Sequence, residues 1–452
     1  MNEQDSTDLT RRDFIKGGSF ATLMTMLGGV ELISPTAQGA DVDKLVAYTV
    51  KCGVIGLGTW GREIVNTLVR QKEAELVAVC DKYPPFLKRG AALAPKAQAV
   101  EDYKELLANK DIQAVFIATP THQHRQIVID ALAAGKHVYC EAPLAHTVED
   151  ARAIAVAAKA AGKQYFQAGL NLRSDAHRQF LLTFVRSGAA GKPIKARAQW
   201  HKKQSWRMAS PNPEREKEIN WRLSQATSAG LIGEIGIHQI DVVNWYHNAR
   251  PVAVTGFGGI HNWNDGRDVA DTAQALFEYP GGAVLNYEVS LANSFDSSYE
   301  MFYGLDAAIM LRGSKAWLFK EVDAAMLGWE VYAQKDMFGD ETGIALIANA
   351  TRSSKAQAKP GEDAAFTNTP LAAAFEAFLF NANEIGTAVE DFAASFDIND
   401  KKALAANLAK LKLLHAAGYK EGYESTVVAL KANDAVNQKT KITFDPAWFE
   451  LA

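Results

Sequence analysis

Glu234, His238, Asp241 and Trp245 recur at the i, i+4, i+7, i+11 spacing of one helical face. An imidazole beside a carboxylate is general acid/base equipment, because the acid orients the ring and raises its basicity. By residue type alone, a purely structural histidine–carboxylate pair is an equal reading. Gly230, Gly233 and Gly236 open this segment and let another backbone or a ligand come close, while Ile237, Ile240 and Val243 supply a face for packing. Upstream lie His201, Lys202, Lys203, Trp206 and Arg207, then Asn220-Trp221-Arg222. Cations interleaved with indoles suit a polyol or an acidic sugar; a solvated loop with scattered aromatics is the plainer alternative for any one of them.

A second constellation lies nearer the N-terminus. The apolar run Val50 to Ile55 leads into Gly56-Leu57-Gly58-Thr59-Trp60-Gly61, then into a helical period with Ile64, Val65, Leu68 and Val69 on one face. A second apolar run, Ala74 to Cys80, ends at Asp81, twenty residues after the last glycine. A lone GxGxxG says little, but between a strand and a helix, with an acid at that distance, it reads as a dinucleotide-binding turn. Gly56 permits the turn, Gly58 lets the backbone approach the pyrophosphate, and Gly61 lets the helix pack close. Asp81 accepts the adenosine ribose hydroxyls and favours NAD, with NADP still possible because Lys82 stands beside it.

Alternation of strand and helix continues through Ala114 to Ala118, which ends in Thr119-Pro120-Thr121-His122-Gln123-His124, and through His137 to Cys140, which ends in Glu141-Ala142-Pro143. Thr147 caps an alanine-rich helix, and Tyr165 to Ala168 closes the series. Loop histidines beside a cofactor are a better reading of His122 and His124 than a metal pair, and no metal is expected. Beyond residue 170 alternating runs at 194–201, 252–258, 270–279 and 283–291 predict a large, mostly antiparallel sheet, with Gly281-Gly282 as a hairpin turn. The fold class is therefore α/β: a Rossmann domain over 48–168 and an α+β domain over 169–430, with an inserted excursion at 325–368 and a C-terminal arm, 431–452, that reaches across a neighbouring subunit.

Composition narrows the partners. Of 452 residues 48 % are apolar and 22 % charged, and the net charge is −4, so neither a disordered chain nor a nucleic-acid binder is indicated. Cys52, Cys80 and Cys140 fall in apolar runs and read as buried, inert thiols. Thr10-Arg11-Arg12-Asp13-Phe14-Ile15-Lys16, an apolar stretch from Ser19 to Ile33, and Ala37-Gln38-Gly39-Ala40 form a twin-arginine export signal over 1–40, with an uncleaved anchor or an amphipathic helix as the alternatives. Export by that machinery implies a periplasmic enzyme that carries its dinucleotide tightly bound. No other segment is long enough to span a bilayer, and the large sheet face implies a homo-oligomer.

These motifs together resemble the glucose–fructose oxidoreductase and inositol dehydrogenase-like (Gfo/Idh/MocA) family over about residues 48–310. The family's TPxxxH segment is matched by Thr119, Pro120 and His124, and its GKHVxxEKP segment by Gly135 to Pro143. Its acid and histidine four apart map to Glu234 and His238. The resemblance implies an NAD(P)-dependent oxidoreductase acting on a CH–OH group of a sugar, with His238 taking the hydroxyl proton and Glu234 supporting it. Together with the residue reading, cofactor contacts are expected from Gly56, Gly58, Thr59, Trp60, Gly61, Asp81, Thr119, Pro120, His124 and Glu141, and substrate contacts from Arg173, His201, Trp206, Arg222 and Asp241. Two positions depart from the pattern. The family lysine of EKP is Ala142, and the common aspartate is Glu234. Alanine carries no charge, so Lys202 or Arg222 is expected to supply the missing cation. The loss also admits two further readings: a glycosidase that uses NAD without net redox change, and a non-catalytic sugar-binding subunit.

Overall fold

The computed structural model describes residues 48–313, 315–327, 330, 333–346 and 369–451. The export signal expected over 1–40 lies outside them, and the excursion expected at 325–368 is described only in part.

The first sheet has six parallel strands: β1 (Val50–Ile55), β2 (Ala74–Cys80), β3 (Gln98–Val100), β4 (Ala114–Ile117), β5 (His137–Cys140) and β6 (Phe166–Ala168), in the order β3-β2-β1-β4-β5-β6. Helices α1 (Thr59–Leu68), α2 (Pro84–Leu93), α3 (Tyr103–Ala108), α4 (His124–Ala133) and α5 (Val148–Ala160) connect them. Parallel strands bury both faces, which is why β4 reads as an unbroken apolar run and is buried throughout. The order reverses between β1 and β4, and the carboxyl ends of the strands at such a switch point are where open α/β sheets bind their ligands. The three cysteines sit in this sheet as free, buried thiols, as expected.

After α6 (Ala176–Arg186) the chain enters the second sheet with β7 (Pro193–His201). Helix α7 (Pro213–Ile219), a π turn over Ile232–Gly236 and helix α8 (Ile237–His247) intervene before β8 (Ala253–Gly259), β9 (Thr272–Glu278) and β10 (Val284–Ser290). Strands β11 (Ser298–Gly304), β12 (Ala307–Arg312), β13 (Lys315–Lys320), β14 (Lys335–Phe338) and β15 (Glu341–Ala345) extend one edge, and β16 (Ile442–Thr443) the other. Among the described strands of this second sheet only β7 and β10 pair in parallel. Gly281 and Gly282 make the predicted turn between β9 and β10, both in the left-handed region. The inner face carries Ala198, Trp200, Tyr287 and Val289, and a Cβ added to Gly236 would meet the Tyr287 ring at 2.8 Å. That face therefore carries α8, and glycine is needed for the close approach.

Three helices close the chain: α9 (Pro370–Ser395), α10 (Lys401–Leu408) and α11 (Tyr419–Gln438). They correct the expected boundary, which placed all of 169–430 in the second domain. Leu371, Phe375, Phe378 and Leu379 of α9 join Val54, Phe116 and Tyr139 in one apolar cluster of the first domain. Helix α11 lies against both α5 and β8 and so belongs to both domains. The terminal arm packs against both domains. Ile442 pairs with Val254 of β8, and Arg152 of α5 donates to the carbonyls of Ala447 and Trp448.

Phe378 stands edge-on to Phe116 at 4.9 Å and to Tyr139 at 5.8 Å. Phe378→Ala is expected to lower unfolding free energy by about 3–5 kcal/mol, measured by denaturant titration. A loss of less than about 1 kcal/mol would show that α9 does not belong to this core.

Candidate active site

The glycine turn has the geometry of a phosphate cradle. Gly56 has φ +95°, and a Cβ there would strike the Ala118 and Thr119 backbone at 2.6 Å. A Cβ on Gly61 would lie 1.8 Å from the Gly56 carbonyl, whereas one on Gly58 would meet nothing within 4 Å. The open space is thus at Gly58, beside the start of α1, whose first-turn N–H groups no side chain caps. Asp81 anchors the rim. Its Oδ2 accepts from the Leu57 N–H and its Oδ1 from the Tyr83 N–H, both at 2.7 Å. Burial raises its pKa against these donors. Each oxygen keeps a lone pair for a ribose hydroxyl. Thr119 at the end of β4 adds a buried hydroxyl with no partner. These residues fit a dinucleotide.

At the ends of β4 and β5 two carboxyls meet one guanidinium. Glu234, in the π turn, is 6 % exposed. Its Oε1 accepts from the Ala229 N–H at 3.0 Å and its Oε2 from the Thr121 hydroxyl at 3.3 Å, and Arg222 Nε lies 3.6 Å from Oε2. Burial raises its pKa, and Arg222 opposes that shift. Glu141 is buried as well, and desolvation pushes it up to about 7 although Trp60, Tyr139 and the charge of Arg222 favour its anion. Its Oε1 has no partner. The Arg222 guanidinium stands 4.7 Å from the Trp221 ring and 5.8 Å from the Trp206 ring. Trp206 is held at φ 64°, a conformation costing about 1–3 kcal/mol that persists only where the surroundings enforce it. Arg222 rather than Lys202 is therefore the cation near the lost lysine. Lys202 lies beyond the end of β7, exposed, with no side-chain hydrogen bond or ion pair among the described residues.

His238 stands on the first turn of α8, half-buried, and its ring nitrogens make no hydrogen bond among the described residues. Desolvation lowers its pKa, while the Asp241 carboxylate favours its cation. Neutral and free, it can accept a proton. The expected partnership of Glu234 with His238 is corrected: Glu234 serves Arg222 and Thr121, and Asp241 is the carboxylate that His238 feels.

Four further expectations change. Asp241 and Arg173 do not face a substrate. Asp241 is 1 % exposed, Arg173 grips both its oxygens at 2.8 and 2.9 Å, and the Ser425 hydroxyl donates to it at 2.6 Å. His124 touches no crevice. Its Nε2 lies 2.9 Å from the Thr119 carbonyl and its Nδ1 3.2 Å from those of Pro143 and Leu144, so it ties the β4 loop to the β5 loop; burial pushes it down to about 4. His201 faces away, because β7 and β10 in register put it with Arg197 and Glu288 on the outer side of the sheet, where it meets the Phe295 carbonyl.

Residue reading missed Thr121, Ser228 and the Ala229 N–H, which cradle Glu234. It also gave no role to His146, whose ring stands 6.0 Å from His122, itself 6.3 Å from Trp221. A hydroxyl next to Pro120 was the one visible signal; backbone donors leave none.

Comparison with known proteins bears on the two domains that carry these residues. Residues 50–169 match the model of an oxidoreductase family with an NAD-binding Rossmann fold, and residues 179–319 match the Gfo/Idh/MocA C-terminal domain. Inositol 2-dehydrogenase of Acidothermus cellulolyticus is 30 % identical over 54 % of this chain and 67 % of its own length. The 1,5-anhydro-D-fructose reductase of Ensifer adhaerens is 27 % identical over 58 % of this chain and 75 % of its own. Levoglucosan dehydrogenase in complex with NADH and levoglucosan superposes with a TM-score of 0.64 at 17 % identity, covering 87 % of this chain and 99 % of the other, a likeness of fold.

Because burial lowers the His238 pKa and Asp241 opposes that shift, the ring is expected to titrate below the ordinary histidine value of about 6.5. Asp241→Asn removes the carboxylate that favours the cation, so the pKa should fall further. NMR titration of the His238 ring checks both. A value that rises in the variant would contradict the assigned partnership.

Proposed function

The chain belongs to the Gfo/Idh/MocA family of NAD-binding oxidoreductases, and we propose that it oxidises or reduces a CH–OH group of a sugar or sugar derivative. The observation that carries this reading is the convergence of Arg222, Glu234 and Glu141 at the carboxyl ends of β4 and β5, with a free His238 on the neighbouring helix. When bound, the nicotinamide supplies the site that takes or gives hydride. The chain supplies the rest. His238 accepts the substrate hydroxyl proton, which its lowered pKa permits at neutral pH. Arg222 provides the positive charge that Ala142 cannot, and Glu234, gripped by Thr121 and the Ala229 N–H, fixes Arg222. Trp206 and Trp221 offer flat apolar faces beside these polar groups, a combination suited to a sugar ring.

One observation favours a second reading, glycoside cleavage by oxidation, elimination, hydration and re-reduction. Glu141 is held near neutrality beside the position of the lost lysine, with one oxygen unpartnered. A carboxyl that exchanges protons near pH 7 is suited to the elimination and hydration steps.

The export address, the tightly held cofactor and the periplasmic location stand as parts of the same proposal. An exported enzyme that recycles its dinucleotide in place has little use for free cofactor. Exposed Phe257, Leu276 and Phe295 on the outer side of the second sheet support a homo-oligomer.

Mass spectrometry after incubating the NAD-loaded mature protein with free sugars and glycosides decides between the readings. A product differing from its substrate by two hydrogens supports the oxidoreductase, whereas a hydrolysed glycoside at unchanged oxidation level supports the second reading. His238→Ala is expected to lower turnover about 10²–10⁴-fold in either case. Full activity in that variant would overturn the site. Arg11→Lys with Arg12→Lys should hold the chain in the cytoplasm, measured by cell fractionation. Unchanged export would remove the twin-arginine assignment.

A further inference from the structure

The segment between β7 and the π turn belongs to the second sheet by sequence but crosses to the first domain. It is a tied loop. Asn220 Nδ2 donates to the Met208 carbonyl at 2.7 Å and to the Glu216 carbonyl at 2.8 Å, and Met208 N–H returns a bond to Asn220 Oδ1 at 2.8 Å. Arg207 bonds the Asp265 carbonyl at 2.7 Å and pins the loop to the second domain. Helix α7 is thereby held over the residues that follow β2. Lys82 Nζ lies 3.4 Å from Glu218 Oε2, and Arg215 NH1 lies 2.9 Å from the same oxygen. The Arg215 guanidinium stands 5.0 Å from the centre of the Tyr83 ring. Tyr83 in turn donates its N–H to Asp81, and the Arg215 charge acts on Asp81.

An ammonium and a guanidinium converging on one oxygen anion is the arrangement that binds phosphate. Here it stands beside the acid that such folds place against the adenosine ribose, where a nearby arginine accommodates a 2′-phosphate. A carboxylate from the other domain already fills it. We propose that Glu218 is a cofactor-specificity residue acting across the domain boundary: its carboxylate occupies the Lys82–Arg215 pair that would otherwise take the 2′-phosphate of a phosphorylated dinucleotide, so that the chain binds NAD in preference to NADP. Asp81 contributes to the same preference from within the first domain. Lys82, which on sequence alone argues for NADP, is neutralised only because the fold delivers Glu218 to it. The inference rests on the dinucleotide assignment and names which dinucleotide the site selects.

Fluorescence titration of the cofactor-free full chain with NADH and NADPH tests it without reference to turnover. The wild type should bind NADH more tightly than NADPH. Glu218→Gln should tighten NADPH by about tenfold while leaving NADH within about twofold, and the gain should shrink at high salt because the cluster is half-exposed. Adding Lys82→Ala to Glu218→Gln should cancel the gain. Equal changes for both dinucleotides, no change in either, or a wild type that prefers NADPH would each overturn the proposal. A wild type that binds neither would remove the dinucleotide assignment itself, and the proposal with it. Because α7 has no buried residue, these variants should leave the fold intact, and an unchanged unfolding transition checks that.

Discussion

A carboxylate buried at 1 % exposure has to be paired, and Asp241 is paired three ways. Arg173 comes from the turn that follows β6, Asp241 from α8, and Ser425 from α11. One ion pair therefore joins the last strand of the first domain, the helix that carries His238, and the helix shared by both domains. Removing one partner of such a pair costs about 3–5 kcal/mol, although an apolar replacement of both could be nearly neutral. Its consequence here is registry. With α8 fixed at Asp241, His238 is fixed one turn earlier, and the π turn before it places Glu234 under the β4 loop. His124 fixes that loop from the other side by tying Thr119 to Pro143 and Leu144.

The site's electrostatics follow from a single absence. A lysine at position 142 would belong to the first domain; with Ala142 there, the cation that acts on Glu141 and Glu234 among the described residues is Arg222. Two buried carboxyls without compensation would simply remain protonated. Arg222 restores a positive charge from the second domain, pairing with Glu234 and reaching Glu141. One guanidinium shared between two carboxyls cannot hold both fully ionised. That sharing is consistent with Glu141 standing near 7 while Glu234 keeps close partners. The charge that compensates these carboxyls thus comes from the second domain.

Much of this was legible in the residues. The glycine turn, Asp81, the alternation of strand and helix in the first domain, the β9–β10 hairpin and the helix bearing His238 all follow from local spacing, because turns and periodicities are local constraints. Arg222 was one of two cations the lost lysine pointed to, and only distance could choose it over Lys202. The failures share one physical cause. Helical spacing put Glu234, His238 and Asp241 on one face, but α8 is buried almost all round, so face gives no partner. Strand alternation could have turned His201 away from the site, had the side facing α8 been known. Residue type marked Arg173 and Asp241 as ligand groups, yet long-range packing had already matched them to each other. Backbone donors such as the Ala229 N–H carry no sequence signature at all.

The segment 202–229 gives the molecule its particular character. Its C-terminal part supplies Arg222 to the reacting end of the crevice, and its middle part supplies Arg215 and Glu218 to the adenosine end. Both ends of the dinucleotide groove are thus completed by one stretch of chain from the second domain. The two sets of contacts differ in kind. At the reacting end Glu234 is desolvated and Trp206 is held in a strained conformation, so that geometry is set by packing. At the adenosine end the Lys82–Glu218 pair is half-exposed, worth about 0–1 kcal/mol and weakened by salt. The reacting end is therefore specified by desolvation and steric fit, and the adenosine end by charge that salt screens.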